Sequence, residues 1–168
     1  FIVILKATAD SEAGVLPSAE TLQTVGKFNE EMAAAGVLLA GEGLQASSSG
    51  VRISYSANVT PLVTEGPFPV TQGLAAGFWI IKVASKEAAI AWASRAPFPE
   101  GEVEIRRILE ADDFGEDFTP EMRKREAQLR KVVDAGDGYS SKRSMWARPQ
   151  WTTLWSSGTS VRPYSVNE

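Results

Sequence analysis

Apolar and polar positions recur along the first two thirds of the chain with periods that define successive elements. Ile2 to Thr8 is apolar and β-branched with imperfect alternation, which predicts a first strand. Ala9 to Val15 reads as a loop. Pro17-Ser18 opens a helix, with Ser18 as N-cap or Pro17 in the first turn. Leu22, Val25, Phe28 and Met32 then recur at three- and four-residue spacing and form one apolar stripe that ends at Gly36. Val37 to Ala40 is a short strand running into Gly41-Glu42-Gly43-Leu44. Val51, Ile53 and Tyr55 alternate with Arg52 and Ser54, and Leu62-Val63 starts a return strand. Residues 51–65 therefore read as a hairpin with Asn58 near its turn. Val70 to Ala76 reads as a helical turn. Phe78 to Val83 is the most β-prone run and the predicted sheet centre. Ser85 caps a second helix through Trp92, closed by Pro97-Phe98-Pro99, and residues 103–108 supply a last strand.

The order is strand, helix, strand, hairpin, strand, helix, strand. It predicts an α+β unit: a doubled β-α-β with an inserted hairpin, forming an antiparallel sheet with both helices on one face. The other face is left open, and a second copy of the chain is its expected cover. That unit spans 1–118 and closes on the acidic, aromatic stretch Ala111 to Phe118. Thr119-Pro120 starts a helix expected over 119–134, sparse in apolar residues. From 135 to 168 the periodicity stops. Trp146, Trp151 and Trp155 are irregularly spaced, and Lys142, Arg143, Arg148 and Arg162 outnumber Asp137 and Glu168. This reads as an extended arm, whose tryptophans are costly to leave in water.

Composition narrows the chemistry. The 168 residues have net charge −4, which argues against nucleic acid as the main partner. No apolar run approaches the ~18 residues of a membrane span, and no secretion signal is visible, so a cytoplasmic protein is expected. Histidine and cysteine are absent. That removes Ser-His triads, thiolate nucleophiles and His- or Cys-bound zinc, and leaves proton transfer to Asp, Glu, Lys or Tyr. No metal site is expected. Asp112, Asp113, Glu116 and Asp117 lack ligand spacing and read as a solvated linker or a weak Ca²⁺ site.

Candidate site residues cluster at two bends. Glu42, between two glycines at a strand end, is either a pocket carboxylate acting as general acid or base, or a turn residue bonding backbone amides. Glu65, before Gly66-Pro67, is either a second pocket carboxylate or partner of Arg52, or an acidic turn residue. Thr71 and Gln72 lie beside the same bend. Tyr55, Phe68, Phe78 and Trp79 could form an aromatic wall, but alternation puts Phe78 and Trp79 on opposite sheet faces, one packing under the helices. Lys6 is a strand lysine that either faces a cavity as base or amine, or protects an exposed edge. Gly41-Glu42-Gly43-Leu44-Gln45-Ala46 matches a loose dinucleotide pattern. Ser47-Ser48-Ser49-Gly50 follows it in place of a helix, so no dipole faces a pyrophosphate.

Several separated blocks carry a family resemblance. They are Ile4-Leu5-Lys6-Ala7-Thr8, Gly36 through Leu44, Glu65-Gly66-Pro67-Phe68, Ala76-Gly77-Phe78-Trp79, and Glu104-Ile105-Arg106 before Glu110-Ala111-Asp112-Asp113-Phe114-Gly115. Over 1–118 the chain resembles the YCII-related, or DGPF-domain, family. The resemblance implies a ferredoxin-like fold assembled as a dimeric α/β barrel. Glu65 stands where the family signature begins with Asp. Gln45 stands where many relatives carry His, so a His–Asp acid/base pair does not transfer. The resemblance implies a homodimer binding a small organic metabolite without a cofactor, as an isomerase, cyclase or lyase. On this reading the pocket lies between sheet and helices. Glu42 transfers protons, Glu65 or Gln72 orients, Phe68 and Trp79 form the wall, and Gln45, Arg52, Tyr55 and Thr71 complete it. Family members encoded near alternative sigma factors imply a rival: a non-catalytic regulatory or partner-binding protein.

Overall fold

A computed structural model describes residues 1–135. Its elements are β1 (Ile2–Lys6), α1 (Ala9–Glu12), α2 (Ala19–Ala34), β2 (Leu38–Gly43), β3 (Val51–Ser56), β4 (Val59–Glu65), β5 (Ala75–Ile81), α3 (Lys86–Ala93), β6 (Val103–Arg106) and α4 (Pro120–Ala135). Single 3₁₀ turns fall at Ser47–Ser49 and Val70–Gln72, and a longer one at Ala111–Asp117. The expected arm lies outside the described residues from 136 onward.

Local chemistry sets the element ends. Ser18 Oγ accepts from the Thr21 amide at 3.1 Å and Ser85 Oγ from the Ala88 amide at 3.2 Å, so both serines are N-caps. Thr119 Oγ1 accepts from the Met122 amide at 3.3 Å at the head of α4. The stretch expected to be a loop at 9–15 instead holds α1. Thr8 and Ser11 cap it reciprocally, a Ser taking the place of the usual Glu or Gln. The expected linker at 111–118 is a 3₁₀ turn, kinked where Gly115 takes φ 64°.

The four-stranded sheet runs β2-β5-β1-β6 with every pair antiparallel. With α2 and α3 on one face this is the ferredoxin-like arrangement. The core lies between that face and the helices. Val3, Trp79 and Ile81 from the sheet meet Val25, Phe28 and Met32 of α2 and Ala89 and Ala93 of α3. Met32, Ile81 and Val3 are wholly enclosed. β1 lies between β5 and β6, so Lys6 is not an edge lysine: the ladder closes on both sides of it. The β3–β4 hairpin is a separate two-stranded sheet turned at Asn58, which takes φ 59°.

Candidate active site on the open sheet face

Register fixes what the open face carries. Directly paired residues share a face, and Phe78 and Ile80 point away from buried Trp79 and Ile81. One row across the sheet is therefore Glu42, Phe78, Ile4, Glu104. The next row is Ala40, Ile80, Ile2, Arg106. The face has an apolar floor with a carboxylate at each end of one row. Three strand spacings, ~14 Å, separate those ends.

The two carboxylates differ in their partners. Glu104 accepts from Lys6 Nζ with one oxygen and from Arg106 Nε with the other. The hydrogen bond from Lys6, then that from Arg106, hold its carboxyl below the usual Glu range. Glu104 is thus a fixed, neutralised anion. Glu42 is half-buried on the outer strand, and among the described residues its carboxylate meets no hydrogen-bond or ion-pair partner. It is the uncommitted acid of the face.

The glycines around Glu42 serve packing. A Cβ on Gly41 would sit 2.5 Å from Trp79 Cδ1, so the glycine lets the indole lie across the outer strand. A Cβ on Gly77 would sit 2.8 Å from the Glu42 carbonyl oxygen. Of the dinucleotide-like pattern, Gly41 is thus accounted for by packing.

Trp79 is not a pocket wall. Only 8% exposed, it stacks on Phe98 at 5.7 Å, meets Phe28 edge-on at 5.8 Å, and donates from Nε1 to Asn29 Oδ1 at 3.0 Å. The space expected to be a pocket between sheet and helices is filled by this core, and Phe78 is the aromatic residue that faces outward.

The second bend forms a group of its own. Arg52 lies over the Phe68 ring at 3.9 Å and donates to Gln72 Oε1. Its cross-strand neighbour is Thr64, and Glu65 pairs with Val51, so Arg52 and Glu65 are not partners. Glu65, Thr71 and Gln45 are exposed, and Tyr55 is 79% exposed on the hairpin. The nine expected site residues therefore divide: Glu42 on the open face, Arg52, Phe68 and Gln72 together, Trp79 in the core, and the others exposed.

Sequence reading missed the clamp that holds this bend. Glu12 accepts from the Ser47 amide at 3.0 Å and from its hydroxyl, and Ser47 Oγ accepts from the Phe68 amide at 2.9 Å. Gly50 O accepts from the Gly66 amide at 2.9 Å, and the Gly66–Pro67 peptide is cis. A Cβ on Gly73 would lie 3.8 Å from Lys6 Nζ, which places the returning chain at the rim of the open face. No local motif announces Glu12 as a partner of Ser47.

Near the other end of the sheet a groove of about 1440 Å³ runs between the sheet and residues 107–130. Phe1, Leu39, Ile80, Ile108, Phe114 and Phe118 supply its apolar lining, and none of the expected site residues lines it. Asp113 pairs with Arg107 and Asp112 with Arg123, the latter at 2.6 Å. Those acids thus serve the turn and α4. Among the described residues no group of three or more acidic side chains is placed to hold a metal ion. Nor is any helix there long and apolar enough to cross a membrane.

No curated protein matches the chain. The family model of the YCII-related domain matches residues 1–112. That span holds the whole four-stranded sheet, both covering helices and the hairpin. The chain belongs to the YCII-related domain family.

Proposed function

We propose that the open sheet face is the binding site for a small, partly apolar organic metabolite, enclosed in a homodimer, with Glu42 as its proton-transfer group. The observation that carries this reading is the row Glu42–Phe78–Ile4–Glu104. It offers an apolar floor, one carboxylate already neutralised by Lys6 and Arg106, and one with no partner among the described residues. Without histidine or cysteine, proton transfer on that face falls to carboxylates and Lys6; Lys6 and Glu104 are paired with each other, and Glu42 has no partner among the described residues. Such chemistry fits a cofactor-free isomerase, cyclase or lyase. On this reading Arg52, which lies over Phe68 and donates to Gln72, would recognise the polar end of a ligand.

The test is a thermal-shift screen against carboxylic, phenolic and polyketide-like metabolites. A ligand of the native state raises stability by about 2.7 kcal/mol at a hundredfold excess over Kd. A hit should lose affinity in Phe78→Ala, and its conversion should stop in Glu42→Gln with the fold intact. Full turnover in Glu42→Gln would remove Glu42 from the chemistry.

The apolar groove beside residues 107–130 favours a second reading, a partner-binding protein. Leu129, Val132 and Val133 of α4 are 57–64% exposed. No metabolite hit, with Phe114→Asp abolishing capture of a protein partner, would transfer the weight to it.

A further inference from the structure

Among the described residues the β3–β4 hairpin is a two-stranded sheet joined to no other strand. Apart from half-buried Arg52, every residue of both strands is exposed. Register pairs Ile53 with Val63, and alternation along β3 puts Val51 and Tyr55 on the same side, Tyr55 standing at the register shift between Ser54 and Ser56. Val51, Ile53, Tyr55 and Val63 are 58%, 48%, 79% and 57% exposed. That leaves an apolar stripe of roughly 400–500 Å², as large as the largest patch on a typical monomer. Two-stranded hairpins are marginal in water without a packing surface.

The hairpin's base, by contrast, is fixed. Glu12, Ser47, Gly50 and Gly66 tie it down, and its return segment passes Lys6 at the rim of the open face. At about 3.4 Å per residue the arm is ~20 Å long, against the ~10 Å that separates packed sheets. Its stripe carries no charge short of Glu65 at the base. Among the described residues a second apolar surface is only partly covered, the half-buried floor formed by Ile2, Ile4, Phe78 and Ile80, of which Ile80 also lines the groove beside residues 107–130. Two incompletely covered apolar surfaces on one chain satisfy each other through a twofold axis. A stable interface buries ~800 Å² per partner, of which the stripe supplies about half.

We propose that the hairpin is an exchanged arm. Its stripe lies on the open face of a second copy, and Tyr55 completes the partner's ligand site. This rests on the open face being the ligand site and dimer face. The Tyr55 phenol brings a hydrogen-bond donor and acceptor to the row that holds Glu42 and roofs it against water. Tyr55 thereby joins the site from the other subunit, although within its own chain it stands exposed.

The chain has no cysteine, so introduced thiols report without background. Full-length Tyr55→Cys and Ile4→Cys chains, one carrying a size tag, are mixed, allowed to exchange subunits and treated with a short bis-maleimide. The expected product is a heterodimer linked between positions 55 and 4, found by mass spectrometry. Light scattering on the same sample gives the oligomeric state. A dimer without the 55–4 link, or with Tyr55→Cys linked only to itself, overturns the arm and leaves the open-face site standing. A link from position 55 to a cysteine introduced at Trp151 assigns the stripe to the chain's own 136–168 segment and also overturns it. A monomer at all concentrations removes both the arm and the dimer beneath it.

Discussion

Replacing Gly66 by alanine should detach the hairpin from the body. The new Cβ would lie 1.8 Å from the Ser47 carbonyl oxygen and 2.7 Å from its carbon. Real Cβ atoms do not approach backbone oxygen that closely, and no flexible side chain is involved that could swing away. Gly66 does not take a positive φ, so the cost is steric. Relief requires the 45–50 turn to move by more than 1 Å, which pulls Ser47 from the Glu12 carboxylate and from the Phe68 amide. Hydrogen bonds to a charged group contribute about 1.5–3 kcal/mol and a neutral one about 1 kcal/mol. The expected loss is therefore about 2–4 kcal/mol. Gly50→Ala is the control. It touches the same turn, yet its Cβ would meet Ser47 O at an ordinary 3.5 Å, so it should stay within about 0.5 kcal/mol of wild type. Urea unfolding followed by circular dichroism gives both numbers, and limited proteolysis at 44–74 locates the damage. Equal stability of the two variants would refute the clamp.

Other substitutions probe separate features. Gly41→Ala drives a methyl against Trp79 Cδ1 and should cost about 1–3 kcal/mol by overpacking, with a changed near-ultraviolet indole signal. Met32→Ala empties a wholly buried site and should cost about 2–5 kcal/mol in the same urea assay. The Glu104 carboxyl is held low by Lys6 and Arg106, so its contribution is complete above the unfolded Glu range near pH 4.3 and is lost as pH falls through its lower folded value. The stability gap between wild type and Glu104→Gln should accordingly be widest at neutral pH and narrow as pH falls below the unfolded Glu range. A gap that is flat with pH would mean that the cluster adds nothing specific.

What could be read from the sequence follows from range. Caps and periods act within four residues, so Ser18, Ser85, Thr119 and the stripe Val25-Phe28-Met32 announced their helices. Alternation also separated Phe78 from Trp79 before any pairing was known. Which of the two faced a cavity needed the third dimension, because both faces of β5 are apolar. Trp79 went to the helices since Gly41 opens room for its indole and Asn29 accepts its N–H. The clamp joins residues far apart in sequence through a turn serine and one carboxylate, neither unusual where it stands. Thr8 and Ser11 hid α1 because serine replaces the acidic residue that normally marks a capping box.

The division between the two carboxylates was equally invisible, and it bears most on function. Glu42 and Glu104 are half-buried acids on one row of one sheet face. Their fates diverge because of strand position. β6 sets Glu104 one strand from Lys6 on central β1 and two residues from Arg106, so two cations reach it. β2 is the opposite outer strand, and the partner beside Glu42 is Phe78, which offers no donor. A sheet that neutralises one end of a row and leaves the other end free is polarised along that row. A ligand lying along it would meet a fixed, charge-balanced end and a carboxylate that has no partner among the described residues. Swapping the partners tests whether that polarity matters. Phe78→Lys places a cation beside Glu42, and Lys6→Met removes one from Glu104. Phe78→Lys should abolish conversion of any substrate found by screening, whereas Lys6→Met should weaken its binding and leave the pH dependence of turnover in place. The reverse pattern would assign the proton transfer to Glu104.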